Sequence, residues 1–127
     1  MAIYTSSVTP WTLKMPAGSL QEWVLTLTSP GSSSPYPVSG STWEYVVRPT
    51  ARDTSDPLVD ITDSAGFAGL ITVTSTSSVS QVLLAVYPAA TAGLSGFYSH
   101  ALWMNPGTPS ALAIAEGTLQ VIASPQP

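Results

Sequence analysis

The chain has 127 residues, which is long enough to bury one core. Because 44% of the residues are hydrophobic and four are tryptophan, the composition indicates a single folded domain rather than a disordered chain. Three basic and seven acidic side chains give a net charge of −4, which argues against binding to a nucleic acid backbone. The absence of cysteine excludes disulfides and thiolate metal sites, and no apolar run reaches the roughly 20 residues of a membrane span.

The first predicted strands follow an N-terminal arm, residues 1–10, which lacks the basic start and apolar run of a secretory signal. We therefore expect a soluble protein that is made in the cytoplasm. Residues 11–15 are predicted as the first strand. In 21–28, large apolar residues alternate with polar or small ones, as in a strand with one buried face. Prolines and glycines in 29–40 predict a loop, and 43–48 repeats the alternation.

Short runs rich in β-branched or aromatic residues continue to the end of the chain. They predict strands at 58–62, 70–75, 81–87, 97–104 and 118–123. The Ala-rich segment 88–94 begins with Pro and carries a Gly near its end, which predicts one short helical turn. We predict an all-β fold: a single antiparallel, Ig-like β-sandwich of seven or eight strands over residues 11–123, followed by a frayed tail, 124–127.

Three segments carry a resemblance to a known family. The strand WEYVVR (43–48) is followed by a polar, aspartate-bearing excursion; the strand GFYSHALWM (96–104) begins with glycine; and EGTLQV (116–121) opens the last strand. In this order they resemble the Ig-like domain at the N-terminus of phage baseplate upper proteins and related small Ig-like domains of tailed-phage virions. Baseplate upper proteins continue into further domains, whereas this sequence ends at Pro127, so we expect a self-contained module.

The resemblance implies a non-enzymatic structural protein of the virion, which docks on capsid, tail or baseplate proteins as a capsid-decorating or tail-associated module. It implies a multi-copy or homo-oligomeric arrangement, and it carries over no catalytic residue and no cofactor. Nucleic acid and membrane are not expected as partners.

Seven of the charged side chains lie between Glu44 and Asp63. The aspartates in this stretch match no EF-hand spacing, so we predict a turn-forming acidic edge and no metal site. Because interface charge contributes specificity and association rate, the charged residues of this stretch are candidate partner contacts. They are Arg48, Arg52, Asp53 and Asp56.

Aromatic residues give the alternative function, a carbohydrate-binding module that stacks a surface glycan on exposed rings. Alternation places Trp23, Trp43 and Tyr45 in the core. Trp103 and Tyr36 are therefore the expected exposed aromatic contacts.

The arm supplies two further candidates, Ile3 and Tyr4, because an uncharged segment can dock on a partner as an added strand. His100, the single histidine, matches no G-x-S-x-G nucleophile motif and is predicted as a hydrogen-bonded packing residue. The acids cluster on one edge, which also disfavours a two-carboxylate glycosidase. We therefore expect no catalytic site.

Overall fold

A computed structural model describes residues 2–4, 9–29, 31 and 34–123, with side chains described from residue 10 onward. Within these residues the chain forms ten strands and one helical turn. In chain order they are β1 (Ala2–Tyr4), β2 (Thr9–Pro10), β3 (Leu13–Pro16), β4 (Gln21–Thr28), β5 (Trp43–Arg48), β6 (Val59–Thr62), β7 (Gly69–Ser75), β8 (Ser80–Val86), α1 (Pro88–Thr91), β9 (Gly96–Met104) and β10 (Leu112–Ile122).

The strands form two sheets that pack face to face. The first sheet has the order β1-β4-β8-β7, and the second has the order β2-β10-β9-β5-β6, with β3 also paired to β10. This is the order of an immunoglobulin-type sandwich, in which strands A-B-E-D face strands G-F-C-C′. The predicted all-β sandwich is thus confirmed, and so is the short helical turn at Pro88–Thr91.

The structure has more strands than the seven or eight predicted. All eight predicted strands are present as β3 to β10, and the two additional ones, β1 and β2, lie within the segment predicted as an arm. They were missed because two or three residues are too few to display an alternating pattern. Pairing is antiparallel except at the N-terminal segment, where β1 runs parallel to β4, and β2 and β3 run parallel to β10. The predicted tail, 124–127, lies outside the described residues.

The last strand begins six residues before its predicted start. Its first half, 112–117, is rich in alanine, and a register shift between Ala113 and Ala115 interrupts the alternation on which the prediction relied. The bulge changes which residues of β10 face outward, so that Glu116 and Thr118 point to solvent while Leu119 and Val121 are buried.

His100 sits in the core at 3% exposure and joins the N-terminal segment to the second sheet. Its ring stacks on Trp11 with centroids 4.8 Å apart. Nε2 lies 2.6 Å from the Trp11 carbonyl oxygen, which can only accept, so Nε2 carries the proton. Nδ1 therefore accepts, and the Tyr45 hydroxyl donates to it over 2.8 Å. The prediction of a hydrogen-bonded packing histidine is confirmed.

The same cluster reaches the first sheet. Trp11 meets Trp23 of β4 edge-to-face at 6.3 Å and Tyr45 of β5 at 5.8 Å, so its indole lies between the two sheets. The Tyr98 hydroxyl donates to the Ser95 carbonyl over 2.8 Å, a tyrosine corner, and His100 follows two residues later. In immunoglobulin domains that position holds the second cysteine of the inter-sheet disulfide. In this protein His100 stands at that position, held by aromatic packing and two hydrogen bonds.

Gly117, which pairs with His100 in the ladder, makes room for the Trp11 backbone. A Cβ atom at Gly117 would lie 2.3 Å from the Trp11 carbonyl oxygen, the atom that binds His100. We expect Gly117→Ala to lower the free energy of unfolding by about 1–3 kcal/mol, because the backbone of Trp11 must move. Gly93→Ala is the matched control, since a Cβ there meets no atom within 4 Å. Urea denaturation followed by tryptophan fluorescence measures both, and equal midpoints for the two variants would contradict the steric account.

Burial lowers the pKa of His100 below its usual 6.5, and the bond to the Trp11 carbonyl offsets this only in part. Below pH 6.5 the histidine binds a proton in the unfolded chain but stays neutral in the folded protein. This histidine therefore lowers the free energy of unfolding as pH falls, by up to about 1.4 kcal/mol per pH unit. We expect the stability gap between the wild type and His100→Gln to narrow from pH 7.5 to pH 5. Urea denaturation of both proteins tests this, and a gap that stays constant would contradict it.

Candidate functional site

The outer face of the second sheet is concave across the middle of β9. Along this strand the outward positions read Trp103, Ala101, Ser99 and Phe97, so two small residues lie between two rings. Trp103 is half-buried and Phe97 is 69% exposed. Small side chains between large ones leave a dip in an otherwise flat sheet surface.

Two adjoining depressions result. The larger, which we call the β9 depression, has a volume of about 610 Å³. Its outward side chains come from β5, β9 and β10, and they include Val46, Arg48, Ala101, Trp103, Glu116 and Thr118. The smaller, which we call the Trp103 corner, has about 300 Å³ and lies between Trp103, Glu44 and the turn 106–111. Val46, Arg48 and Trp103 line both, so together they form one continuous surface.

A carboxyl pair lies beside Trp103. Glu44 on β5 lies directly opposite Trp103 on β9. Asp60 on β6 lies opposite Val46, which is the next residue after Glu44 on the same face of β5. The pKa of Glu44 is raised from 4.5 to about 7, first by its hydrogen bond to the Asp60 carboxyl, then by partial burial and by the negative charge of Asp60. The Arg48 charge acts in the opposite direction. Below about pH 7 the Glu44 carboxyl therefore holds a proton, and above that pH it is ionised.

Arg48 holds the polar excursion, the loop of residues 49–58 between β5 and β6, next to this surface. Its Nη1 donates to the backbone carbonyl of Ser55. Asp53 accepts the Ser55 backbone N–H over 2.8 Å and also the Ser55 hydroxyl, and these bonds hold the pKa of Asp53 below its usual value. Asp53 is thus a turn-stabilising residue. Arg52 and Asp56 are exposed on the same excursion and line neither depression.

The two predicted exposed aromatic residues have different outcomes. Trp103 lines both depressions. Tyr36 is half-buried, as Trp103 is, but it packs against the core and lines neither depression, so its role as a contact stays a prediction. Its backbone N–H donates to the Leu27 carbonyl over 3.1 Å, and its carbonyl accepts from Ser80 Oγ over 2.6 Å. These long-range contacts leave no signal in the proline-rich sequence around Tyr36.

Sequence reasoning missed several side chains on this surface and elsewhere on the exterior. Phe97 has the same parity along β9 as Trp103, so alternation was a signal that could have found it. Glu44 and Asp60 come together only through the register of β5 and β6, which the sequence does not display. Phe67, 81% exposed in the loop before β7, was also missed.

The backbones of Ile3 and Tyr4 lie in β1, paired with Leu27 and Thr28 of the same chain. The added-strand pairing expected for the arm is thus found within the chain's own first sheet. Their side chains lie outside the described part of the molecule.

The two sheets differ in charge. On the first sheet, Glu22 is the one charged residue among the described strands, and its outer face otherwise carries neutral side chains such as Val24, Thr72 and Leu83. The other charged residues lie on the second sheet or in the loops that flank β6.

Several kinds of site are not found among residues 10–29 and 34–123. No group of three or more histidine or carboxylate side chains there is arranged to hold a metal ion. Both ring nitrogens of His100 already have partners in the core, so the ring offers no free base to a surface substrate. No helix of the described chain has the length and apolar character needed to cross a membrane.

Comparisons with known proteins leave the family open. No family model matches the chain, and no curated protein matches it. Among solved structures, the chain is similar to part of an endo-fucoidan hydrolase from glycoside hydrolase family 107, with 13% sequence identity and a TM-score of 0.40. The match covers 93% of this chain but 13% of that protein, so the chain corresponds to a small part of the hydrolase's length.

Proposed function

We propose that the protein is a non-enzymatic structural module of a tailed-phage virion, which docks on capsid, tail or baseplate proteins through the outer face of its second sheet. The observation that carries the docking role is the concave surface around Trp103, where apolar floor residues meet the charged residues of a protein that has very few charges. A half-buried tryptophan surrounded by polar groups is typical of the centre of a protein interface.

The state of the polar groups supports binding rather than catalysis. His100 is buried with both ring nitrogens bonded. Glu44 and Asp60 are hydrogen-bonded to each other, whereas the two carboxyl groups of a retaining glycosidase stand roughly 5 Å or more apart around the scissile bond. The virion part of the proposal rests on the resemblance of segments 43–48, 96–104 and 116–121 to small phage domains.

The virion role is tested by finding the protein in particles. Phage particles from the source of the gene are purified on a density gradient, and the copy number of this protein is measured by mass spectrometry against the other particle proteins. We expect the protein to co-sediment at a constant ratio, because a structural module occupies fixed positions in a symmetric particle. Its absence from particle fractions, with free protein at the top of the gradient, would contradict the proposal.

A second candidate function is binding of a glycan, and one observation favours it. The indole of Trp103 borders a depression that also presents hydrogen-bonding side chains, including Arg48, Ser99, Glu116 and Thr118. Aromatic stacking combined with several polar groups at fixed positions is a common way to orient a small polar ligand.

A glycan screen tests this candidate with a matched pair of variants. Trp103→Ala should remove any glycan binding, because it removes the stacking surface. Phe97→Ala is the control, since Phe97 is an exposed aromatic on the same strand and face but lines neither depression. Wild-type protein that binds no glycan, or equal loss in both variants, would rule out glycan recognition at this site.

A further inference from the structure

We propose that the Trp103 corner binds the guanidinium group of an arginine on a partner protein, held against the indole of Trp103 and by the carboxyl group of Glu44, with Asp60, the hydrogen-bonding partner of Glu44, next to it. The inference rests on the proposed docking role and gives the chemistry of its partner. It identifies one side chain that the surface is built to receive.

The shape of the corner suits a planar group at the end of a side chain. It has about 300 Å³, with Trp103 and Glu44 on neighbouring strands, Val46 in its floor, and the turn residues Pro106 and Gly107 at its rim. Directly opposed side chains on one face of a sheet stand roughly 5 Å apart at Cβ. A guanidinium that enters there reaches the indole and the Glu44 carboxyl at the same time.

The charge of the surface selects a cation. Glu44, Asp60 and Glu116 face outward on β5, β6 and β10 of the second sheet. The positive charges on this face are Arg48 on β5 and, farther along the sheet, Lys14 on β3. Arg48 is also engaged, because its Nη1 donates to the Ser55 carbonyl. When all three carboxylates are ionised, the surface keeps an excess of negative charge that a partner can neutralise.

Arginine fits this combination better than the other cations. The face of a tryptophan ring attracts cations, and the planar guanidinium stacks on it while its N–H groups bind carboxylate oxygens in pairs. A calcium ion needs six or more oxygen ligands, and the described residues gather no group of three or more acidic side chains able to hold a metal. A neutral sugar would gain the stacking but would leave the excess charge unmatched.

Binding is also expected to depend on pH. Glu44 and Asp60 lie diagonally across β5 and β6. The other charged groups on this face are Arg48 on β5, Glu116 on β10 and, farther along the sheet, Lys14 on β3, and β9 contributes none. Since the pKa of Glu44 is about 7, its carboxyl is mostly protonated at pH 6 and mostly ionised at pH 8. A guanidinium must displace that proton, so the site should bind arginine more tightly at the higher pH.

The experiment uses the peptide acetyl-Gly-Ser-Arg-Ser-Gly-amide and the same peptide with citrulline, the neutral analogue of arginine. Each is titrated into nitrogen-15-labelled protein, and the indole N–H resonance of Trp103, assigned by its loss in Trp103→Phe, reports binding. We expect a saturable shift with the arginine peptide and none with the citrulline peptide. Affinity at pH 8 should exceed that at pH 6 by about fivefold to tenfold, and Glu44→Gln should abolish this difference.

The double substitution Glu44→Gln with Asp60→Asn should lower the affinity of the protein for the arginine peptide by about tenfold. Glu22→Gln, which removes one carboxylate from the first sheet, is the control and should leave the affinity unchanged. Equal shifts with both peptides would overturn the inference, and so would unchanged affinity in the double variant. A saturable Trp103 shift with calcium chloride or a neutral oligosaccharide, without one from the arginine peptide, would also overturn it. Co-sedimentation with particles reports the docking role separately, so either idea can fail alone.

Discussion

The contact of Trp11 with His100 and Tyr45 is the constraint on which the sandwich depends. Trp11 lies between β2 and β3, both of which pair with β10 of the second sheet. Its carbonyl oxygen binds His100, and its ring meets Trp23 of the first sheet. Gly117 leaves the space in which this backbone lies. A chain without cysteine thus joins its two sheets by aromatic packing and a histidine of defined tautomer. This solution does not depend on the redox state of its surroundings.

The placement of the core aromatics determines what remains for the surface. Trp11, Trp43 and Tyr45 are buried in the core. The aromatic side chains on the outer face of the second sheet are therefore Trp103 and Phe97. The small residues between them on β9 produce the concave surface. Charge then distinguishes the two sides of the molecule: the first sheet is nearly neutral, and the second carries Glu44, Asp60 and Glu116 on its outer face.

Alternation was a sufficient guide wherever a strand was long and regular. It identified the buried faces of β4 and β5, and with them the core positions of Trp43 and Tyr45, from residue type alone. It failed at β10, where the bulge at Ala113 and Ala115 reverses the parity. It gives no information on Tyr36, which lies in a loop. Alternation could not predict the Glu44–Asp60 pair, because the register between two strands depends on both segments together. Thus the fold was largely predictable, whereas the site was predictable only in Arg48 and Trp103.

The N-terminal segment divides its pairing between the sheets, since β1 adds to β4 whereas β2 and β3 add to β10. It therefore occupies one lateral edge of each sheet, the one beside β4 and the one beside β10. The opposite edges, formed by β7 and the four-residue β6, lie next to each other on one flank of the sandwich. Exposed strand edges are where chains exchange or add segments. A strand that adds at the β6–β7 flank would therefore meet the edges of both sheets side by side.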